Sequence, residues 1–482
     1  MRLAELLAGC ECMEARGGLD IEITDIVIDS RKAAPGALFV CIPGTKQDGH
    51  AYAGQAVEKG ASALIVERFV EGAEVPQVLV RDSREALARL AAAYHGNPAA
   101  LFSIVGVTGT NGKTTTTYML KSIFEAAGEK VGLMGTISTM IGADALPQAL
   151  TTPDPMEFHG ALRKMAEAGC GRVVMEVSAH ALALRKLAGV QFDASIFTNL
   201  TQDHLDDFVT MENYRAAKKL LFTDGMTRIA VLNADDADAS FMAEGFGGRV
   251  LTYGASRDAL LLAEDVEVRP DGAEFTLRRG ELRLPISLKL SGHFNILNAL
   301  GAAGAALELG VPADTVKFGL ERIESMNGRM ERVASEKSFT VIVDYAHSPD
   351  SIANVLKAAR VFTKNRVLIV FGCGGDRDRT KRPIMGKLAG ELADYIVLTS
   401  DNPRTEEPES IIDMIEPGLK GTGKPYVRNA DRFEAIGIAI REAKSGDVVI
   451  IAGKGHETYQ DVMGVKRHFD DREAAREWLK RM

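Results

Sequence analysis

Short hydrophobic runs recur along the chain, separated by stretches with the spacing of amphipathic helices. In the first hundred residues the runs predict short strands at 21–30, 37–44, 63–67 and 75–80. A helix is predicted over 83–96, and Asn97-Pro98 ends it. The pattern therefore predicts a small mixed α/β domain at residues 1–98.

The next two hundred residues repeat an order of buried strand and helix. Apolar strands are predicted at 101–109, 172–178, 194–200 and 228–235. Such alternation is typical of a parallel sheet with helices on both faces. Residues 266–290 alternate between apolar and polar positions, which predicts antiparallel strands before a helix at 294–310. We expect this central domain to span residues 99–327.

A second α/β sheet is predicted after Asn327-Gly328, in a Rossmann-like domain at residues 328–482. Its four apolar strands are predicted at 339–347, 366–375, 395–402 and 447–455. A chain of 482 residues is too long for one core, so three α/β domains are reasonable. Ligands of open α/β sheets bind beyond the carboxyl ends of the strands, where this chain has most of its unusual polar clusters.

Composition narrows the class of protein. The chain is 46% hydrophobic and 26% charged, as in soluble globular proteins, and its net charge of −9 argues against a nucleic-acid partner. The N-terminus lacks the features of a signal peptide, and no run of about 18 apolar residues predicts a membrane span. Five scattered cysteines indicate reduced thiols; a metal or redox pair at Cys10 and Cys12 is a less favoured alternative. We expect a cytoplasmic monomer.

Residues 106–114, GVTGTNGKT, lie between a predicted strand and a predicted helix. Glycines let backbone N–H groups turn toward phosphate oxygens, and the helix N-terminus adds partial positive charge. Lys113 is placed to reach the β- and γ-phosphates, and the Thr114 hydroxyl to bind Mg²⁺. Val107 stands where the common pattern has glycine, so the loop is a variant. ATP or GTP binding is the prediction.

Two further side chains follow strand ends, although a nucleotide alone leaves the reaction open. Glu176 ends the strand at 172–178, where a carboxylate could hold Mg²⁺. His204 follows the strand at 194–200, and by itself it is more typical of a structural loop residue, because Mg²⁺ prefers oxygen ligands.

Taken together, six motifs in this order resemble the Mur ligases, across nearly the whole chain. They are GTNGKT (109–114), MEVS (175–178), DHLD (203–206), GHFNILN (292–298), NGR (327–329) and DYAH (344–347). The resemblance implies an ATP-dependent amide ligase of peptidoglycan precursor synthesis. ATP would phosphorylate the D-Glu carboxylate of UDP-N-acetylmuramoyl-L-Ala-D-Glu, and an incoming amine would attack the acyl phosphate.

The resemblance also implies roles for single residues around ATP and Mg²⁺. ATP contacts are implied for Gly109, Thr110, Asn111, Gly112, Lys113, Thr114, Thr115, Asn295, Asn298, Arg329, Asp344 and His347. Mg²⁺-associated positions are Thr114, Glu176, His204 and, once carbamylated, Lys218. Catalytic roles are implied for Lys113, Glu176, His204 and Lys218. From the residues alone, Lys218 and Lys219 would instead be a solvated helix face.

For the UDP-linked substrate, the family pattern implies contacts from the first two domains. These are Ser30, Thr45, Lys46, Gln47, Thr151, Thr152, Ser178 and Lys186. The chain departs from the pattern at Leu150, where asparagine is usual, and at Arg185-Lys186, where Gly-Arg is usual. A lysine cannot make the planar, bidentate contact of an arginine, and Arg185 is a candidate to compensate.

The turn at 401–404, DNPR, is similar to that of the family members that add meso-diaminopimelate. Contacts to this amino acid are implied for Arg377, Asp401, Asn402, Pro403, Arg404, Gly453 and Glu457. Arg404 would bind the distal carboxylate, which lysine lacks, and Glu457 the distal ammonium. Without the resemblance, Arg404 would be an ordinary arginine of a surface turn.

Four alternatives remain open. A lysine-adding ligase of the same family is disfavoured by the DNPR turn, and a folate-linked ligase by the motifs of the first domain. A regulatory nucleotide-binding protein without chemistry is disfavoured by the second sheet and its strand-end clusters. An inactive scaffold is disfavoured because Lys113, Thr114, Glu176 and His204 are all present.

Overall fold

The computed structural model describes residues 1–44, 47–146, 150–256, 258–269 and 271–482. Within these ranges the strands form sheets of five, eleven and six strands and one two-stranded hairpin. Each of the three large sheets is built from one continuous part of the chain. The α/β class and the division into three sheet-based units, both predicted from the hydrophobic pattern, are therefore confirmed.

The first sheet has the order β1-β5-β4-β3-β2, with β1 antiparallel to β5 and the other pairs parallel. Asp82 caps the third helix by accepting hydrogen bonds from the backbone N–H groups of Arg84 and Glu85. The strands are β1 Cys12–Arg16, β2 Asp25–Val27, β3 Ala37–Val40, β4 Ala63–Val66 and β5 Gln77–Val80; the helices are α1 Leu3–Leu6, α2 Ala53–Glu58 and α3 Ser83–Tyr94.

The central sheet has the order β16-β15-β14-β13-β12-β11-β6-β10-β7-β8-β9. From β14 to β7 all neighbours are parallel, while both edges are antiparallel. The antiparallel strands predicted within 266–290 form one of these edges. The strands are β6 Ser103–Thr108, β7 Val131–Met134, β8 Thr139–Ile141, β9 Asp144–Leu146, β10 Arg172–Glu176, β11 Phe192–Phe197, β12 Thr227–Asn233, β13 Arg249–Gly254, β14 Leu261–Arg269, β15 Gly272–Arg279 and β16 Leu282–Leu288.

Helices cover both faces of the central sheet. Residues of α4, α10 and α11 form one core with Val105 and Val174, and α5 forms the opposite core with the adjacent Ile104 and Val173. This alternation explains why the central strands are hydrophobic throughout. The helices are α4 Lys113–Ala126, α5 Pro155–Glu167, α6 Ala179–Ala183, α7 Leu205–Phe208, α8 Met211–Lys219, α9 Ala239–Ala243, α10 His293–Glu308 and α11 Ala313–Glu321.

The third sheet has the order β17-β18-β22-β19-β20-β21, parallel except for β17. A separate hairpin, β23–β24, follows it. The strands are β17 Glu331–Val333, β18 Thr340–Asp344, β19 Val367–Phe371, β20 Tyr395–Leu398, β21 Tyr426–Arg428, β22 Val448–Ala452, β23 Tyr459–Val462 and β24 Val465–His468. The helices are α12 Pro349–Phe362, α13 Lys381–Leu392, α14 Pro408–Lys420, α15 Arg432–Glu442 and α16 Asp471–Arg481.

A buried ion pair joins the first residues of α15 and α16. Arg432 donates to both carboxylate oxygens of Asp471 at 2.7 Å, and both side chains are completely buried. Arg432 also donates to the backbone oxygens of Ser400 and Ala452, the residues that precede two loops of the third unit. The pair therefore connects the ends of β20 and β22 to two helices.

Arg432→Met should destabilise this unit by about 3–5 kcal/mol, because it leaves Asp471 charged and buried without its partner. Trp478, the only tryptophan of the chain, lies in α16 and reports unfolding in urea. Lys387→Met, which breaks an exposed i,i+4 pair with Glu391, is the control and should shift the midpoint little. Equal midpoints for the two variants would contradict the structural role of Arg432.

Candidate active site

The phosphate loop connects β6 to α4 as the sequence predicts. Gly109 and Gly112 have φ of 148° and 86°, in the region that favours glycine. A Cβ atom on Gly112 would collide with the amide oxygen of Asn298. Lys113 Nζ donates to the backbone oxygens of Gly109 and Thr110 at 2.9 Å, and burial lowers its pKa. The loop thus holds an amine beside the N-terminus of a helix, where anions bind.

Glu176 ends β10, the neighbour of β6, and is completely buried. Its carboxylate accepts hydrogen bonds from the backbone N–H and the hydroxyl of Thr136 at 2.8 and 2.9 Å. Among the described residues it has no ion pair within 4 Å. A buried carboxylate without an ion pair, at the end of the strand next to β6, fits a divalent cation that prefers oxygen ligands.

Lys218 lies beneath the same loop. Its Nζ donates to the backbone oxygen of Gly109 at 2.9 Å and lies 4.4 Å from the centre of the Tyr214 ring. The residue is 1% exposed, and burial lowers its pKa well below the ordinary value. Lys219 is half-buried and donates to backbone oxygens of Phe241 and Glu244. A solvated helix face, the interpretation from residue types alone, is therefore wrong for Lys218.

His204 precedes α7 in a left-handed conformation, with φ of 56°. Burial lowers its pKa to about 4, against the opposing charge of Asp203. The imidazole is therefore uncharged near neutral pH and can act as a ligand. The ring of His180 lies 5.0 Å away, and its Nε2 is 2.7 Å from a carboxylate oxygen of Asp207.

Asp203 is a charged residue of the cleft that belongs to the DHLD motif but for which the sequence predicted no role of its own. It is buried, and its carboxylate lies 3.5 Å from Lys381 Nζ, 3.7 Å from His204 Nε2 and 3.9 Å from His347 Nε2. Burial opposes its ionisation most strongly, but Lys381, His347, His204 and the backbone N–H of His204 together outweigh burial and hold its pKa well below the usual range. Because Lys381 and His347 belong to the third unit, Asp203 is a junction between the central and third sheets.

Arg329 and Asn111 make two more contacts across this junction. Arg329 donates to the Thr114 hydroxyl at 3.1 Å, and Asn111 donates to a carboxylate oxygen of Asp350 at 2.9 Å. The phosphate loop is therefore in direct contact with residues more than two hundred positions later in the chain. No pattern local to either segment predicts that meeting.

A cavity beside the loop is lined by both sheets. Asn298, which is predicted to contact ATP, lines this cavity. Its side-chain amide donates to the amide oxygen of Asn295, which is buried but does not line the cavity. Phe294, Leu297 and Val355 give the cavity an apolar side suited to a base. The lining predicted from the sequence comprises Asn111, Gly112, Thr115, Asn298, Arg329 and Asp344; the lining it missed comprises Thr198, Asn199, Asn233, Tyr253, Phe294, Leu297, Ser351, Asn354 and Val355.

A second cleft of about 640 Å³ extends from His204 and His347 to the DNPR turn. Arg404, with φ of 52°, donates to the backbone oxygen of Gly375 at 2.6 Å. The predicted amino-acid-binding residues Arg377, Asp401, Asn402, Arg404, Gly453 and Glu457 all line it. Pro403, the seventh, lies within the turn.

Lys454 is a further charged residue at this end that the sequence did not single out. It is completely buried, and its Nζ donates to the amide oxygen of Asn402 at 3.0 Å and to Glu457 at 3.1 Å. Asn402 in turn donates to Glu457 at 2.8 Å. The three side chains therefore form one network, and Glu457 reaches the cleft with its charge already balanced.

Three residues predicted to contact the UDP-linked peptide surround Glu176. The Thr152 hydroxyl donates to the backbone oxygen of Glu176 at 2.9 Å and accepts from the backbone N–H of Ser178 at 3.0 Å. The Thr151 hydroxyl is 3.1 Å from that of Thr136. These three predicted contact residues therefore lie close together around Glu176.

The other predicted contacts to the UDP-linked substrate are more scattered. Ser30 is buried and donates to the side-chain oxygen of Gln55 at 2.6 Å, and Gln47 is exposed. Lys186 Nζ lies 2.7 Å from a carboxylate oxygen of Asp154. Thr45 and Lys46 lie outside the described residues.

Arg185, the candidate to compensate for Lys186, is paired with two carboxylates of the first sheet unit. Its guanidinium lies 2.9 Å from Asp82 and 3.0 Å from Glu85, both in α3 or its cap. Its φ of 52° explains why glycine is usual at this position. The residue joins the first sheet unit to the central one.

Three family models match the chain in order. "Mur ligase family, catalytic domain" matches residues 22–95, "Mur ligase middle domain" residues 107–306, and "Mur ligase, glutamate ligase domain" residues 328–455. Together they cover most of the chain. The chain belongs to the Mur ligase family.

Full-length relatives carry one particular name within that family. Curated proteins from Bacillus licheniformis and Caldanaerobacter subterraneus subsp. tengcongensis, both named UDP-N-acetylmuramoyl-L-alanyl-D-glutamate–2,6-diaminopimelate ligase, are 44% and 43% identical to this chain. In each match, 99% of both chains is covered. A solved structure of the same name is 31% identical, with a TM-score of 0.71 over 100% of this chain and 99% of that one.

In the described part of the chain, no helix is long and apolar enough to cross a membrane.

Proposed function

We propose that this chain is the ATP-dependent ligase that joins meso-diaminopimelate to the D-Glu carboxyl group of UDP-N-acetylmuramoyl-L-Ala-D-Glu. The observation that carries the proposal is the adjacency of the two clefts. Arg329, which lines the cavity beside the phosphate loop, lies 4.8 Å from the centre of the Tyr345 ring, and Tyr345 lines the cleft that contains the DNPR turn. Nucleotide and amino acid can therefore meet at one reacting carboxyl group.

The chemistry needs a leaving group, because a free carboxylate is a poor electrophile. Transfer of the γ-phosphoryl group of ATP converts the D-Glu carboxylate into an acyl phosphate, which an amine can attack. Lys113 and the N-terminus of α4 stabilise the charge on the phosphates, and Arg329 adds a second cation from the third unit.

Thr114, Glu176 and His204 are the residues that would hold Mg²⁺, and Mg²⁺ would there neutralise phosphate charge during transfer. Lys218 is proposed to be carbamylated, which converts an amine into an anion that can help to hold a second ion. Its burial and lowered pKa support this, because an uncharged amine is the form that reacts with carbon dioxide. Thr110, Asn295 and Asp344 complete the proposed ATP site.

The amino acid is proposed from the charges around the DNPR turn. meso-Diaminopimelate differs from lysine by one distal carboxylate, and Arg404 and Arg377 both line the cleft where it would lie. Glu457 would accept a hydrogen bond from the distal ammonium group. An L-lysine-adding ligase is the second candidate, but it would have no use for two arginines there.

The UDP-linked peptide is proposed to lie across the first two units. Thr151, Thr152, Ser178 and Lys186 would contact the muramoyl-peptide next to Glu176, and Ser30, Thr45, Lys46 and Gln47 the uridine diphosphate. The boundaries near residues 98 and 327, a cytoplasmic location and a monomeric state remain part of the proposal.

Phosphate release tests the reaction and the amino acid together. The chain is incubated with ATP, Mg²⁺ and UDP-N-acetylmuramoyl-L-Ala-D-Glu, with meso-diaminopimelate, L-lysine or no amino acid. Release should depend on meso-diaminopimelate and yield a product of the matching mass. Equal release with lysine would retain the ligase and overturn the role of Arg404, while release independent of any amino acid would overturn the ligase itself.

A further inference from the structure

His456 lies in the cleft between the two ends of the proposed reaction and has no role in the assignments above. It follows β22, two positions after Lys454, and lines the cavity. Its Nδ1 is buried and, within the described residues, has no hydrogen-bond partner. Because Nδ1 is enclosed, Nε2 is the nitrogen through which the ring would contact a bound molecule.

The position of His456 relative to the phosphate loop is set by Tyr345. The Tyr345 ring lies 5.0 Å from that of His456 and 4.6 Å from that of His347. Arg329, which donates to the Thr114 hydroxyl, stacks 4.8 Å from the centre of the same Tyr345 ring. The Tyr345 ring therefore contacts both His456 and Arg329, and Arg329 in turn contacts the phosphate loop at Thr114.

On its other side, His456 is followed directly by Glu457, which Asn402 of the DNPR turn contacts. An amino acid held by its distal end at Arg404 and Glu457 would extend its other end past His456 toward the phosphate loop. That other end carries the amine that must form the new bond.

The amine arrives as an ammonium group and must lose a proton before it can attack. Two of the carboxylates that line the cleft are already paired: Asp203 with Lys381, and Glu457 with Lys454. The Nδ1 of His347 is 2.7 Å from the backbone oxygen of Tyr345. An imidazole free of such partners is better placed to accept the proton.

We propose that His456 is the catalytic base that deprotonates the attacking ammonium group, a proposal that rests on the ligase function above. Nε2 takes one proton from the ammonium. The nitrogen lone pair then forms the C–N bond to the acyl carbon, and the C–O bond to phosphate breaks. The leaving group takes that electron pair and the second amine proton, giving hydrogen phosphate and a neutral amide.

The charges that face His456 are consistent with this role. Burial and, to a smaller extent, the positive charges of Arg329, Arg472, His347 and Lys454 together lower its pKa to about 3. The imidazole is therefore uncharged and able to accept a proton at neutral pH. Bound phosphates and substrate carboxylates offset those positive charges, which raises the pKa of His456 toward the working range in the complex.

Hydroxylamine separates proton removal from the rest of the reaction. This nucleophile is largely uncharged near neutral pH, so it needs no base to attack the acyl phosphate and gives a hydroxamate that ferric ion detects. In His456→Gln, ligation of meso-diaminopimelate should fall by about 10²–10⁴-fold, the usual contribution of a general base. Hydroxamate formation should stay within about twofold of wild type. Above neutral pH, ligation by the variant should rise about tenfold per pH unit as more of the amine becomes free.

The ratio of the ligation rate to the rate of hydroxamate formation tests the role of His456. Both reactions use the same preparation, so a partly misfolded variant loses both activities equally. His468→Gln, an exposed histidine of the same unit, is the control and should leave both rates unchanged. Equal losses of ligation and hydroxamate formation, or full ligation by His456→Gln, would overturn the role of His456. If wild type forms hydroxamate but does not use meso-diaminopimelate, the proposed amino acid fails, and the same ratio is measured with the amino acid that is accepted.

Discussion

Lys218→Ala should reduce ligation by about 10²–10³-fold, the range for loss of one group that stabilises transition-state charge. The side chain lies under the phosphate loop, 2.9 Å from the backbone oxygen of Gly109, where its carbamate would act on the phosphates. Short carboxylic acids should restore part of the activity, because they can supply the missing anion. Steady-state phosphate release, with and without added acetate or formate, measures both effects.

Lys219→Ala is the matched control for this experiment. Lys219 is the next residue of α8, but its Nζ is bound to backbone oxygens of Phe241 and Glu244, away from the loop. It should retain near-normal activity and show no response to carboxylic acids. Full activity in Lys218→Ala, or an equal response to acetate in both variants, would exclude the carbamate.

Arg404→Ala should raise the KM for meso-diaminopimelate by about ten- to a hundredfold, because one charge-assisted hydrogen bond contributes about 1.5–3 kcal/mol. The KM for ATP should not change, since Arg404 does not line the nucleotide cavity. Several such contacts together could give about 10⁴-fold discrimination against lysine, as buried polar groups would be left unpaired. Arg404→Ala should therefore reduce the ratio of kcat/KM for meso-diaminopimelate to kcat/KM for L-lysine.

Arg379→Ala serves as the comparison for Arg404. Arg379 is an exposed arginine of the same unit that pairs with Glu406 at 3.2 Å and does not line the cleft. Its removal should leave both KM values unchanged. An unchanged KM for meso-diaminopimelate in Arg404→Ala would remove that residue from the amino-acid site.

The main strands could be predicted because burial on both faces makes them continuously hydrophobic, as in β10 and β22. The pattern missed β1 and the hairpin β23–β24 because these strands are not buried in this way. Their residues are exposed or only half-buried, so no hydrophobic run or alternation marks them. Their pairing is decided by neighbouring chain segments rather than by their own composition.

The candidate site also has parts that the sequence could predict and parts that it could not. The phosphate loop is local, so glycine, lysine and threonine at fixed spacing reveal it. The contact between Asp203 and Lys381 joins residues 178 positions apart and depends on how two sheet units meet. Burial of Lys218 also depends on distant packing, which is why residue type alone gave the wrong environment.

The bridge from Arg185 to Asp82 and Glu85 has a consequence for how substrates are sorted. It fastens the unit proposed to hold uridine diphosphate to the unit that carries Glu176 and the phosphate loop. A molecule that binds both units as proposed would have to span the distance that these ion pairs help to set. A nucleotide sugar with no peptide would then stop short of the phosphoryl group, and one with a longer peptide would carry its terminal carboxylate past it. That distance would therefore select the precursor by the length of its peptide, in addition to the side-chain contacts proposed above.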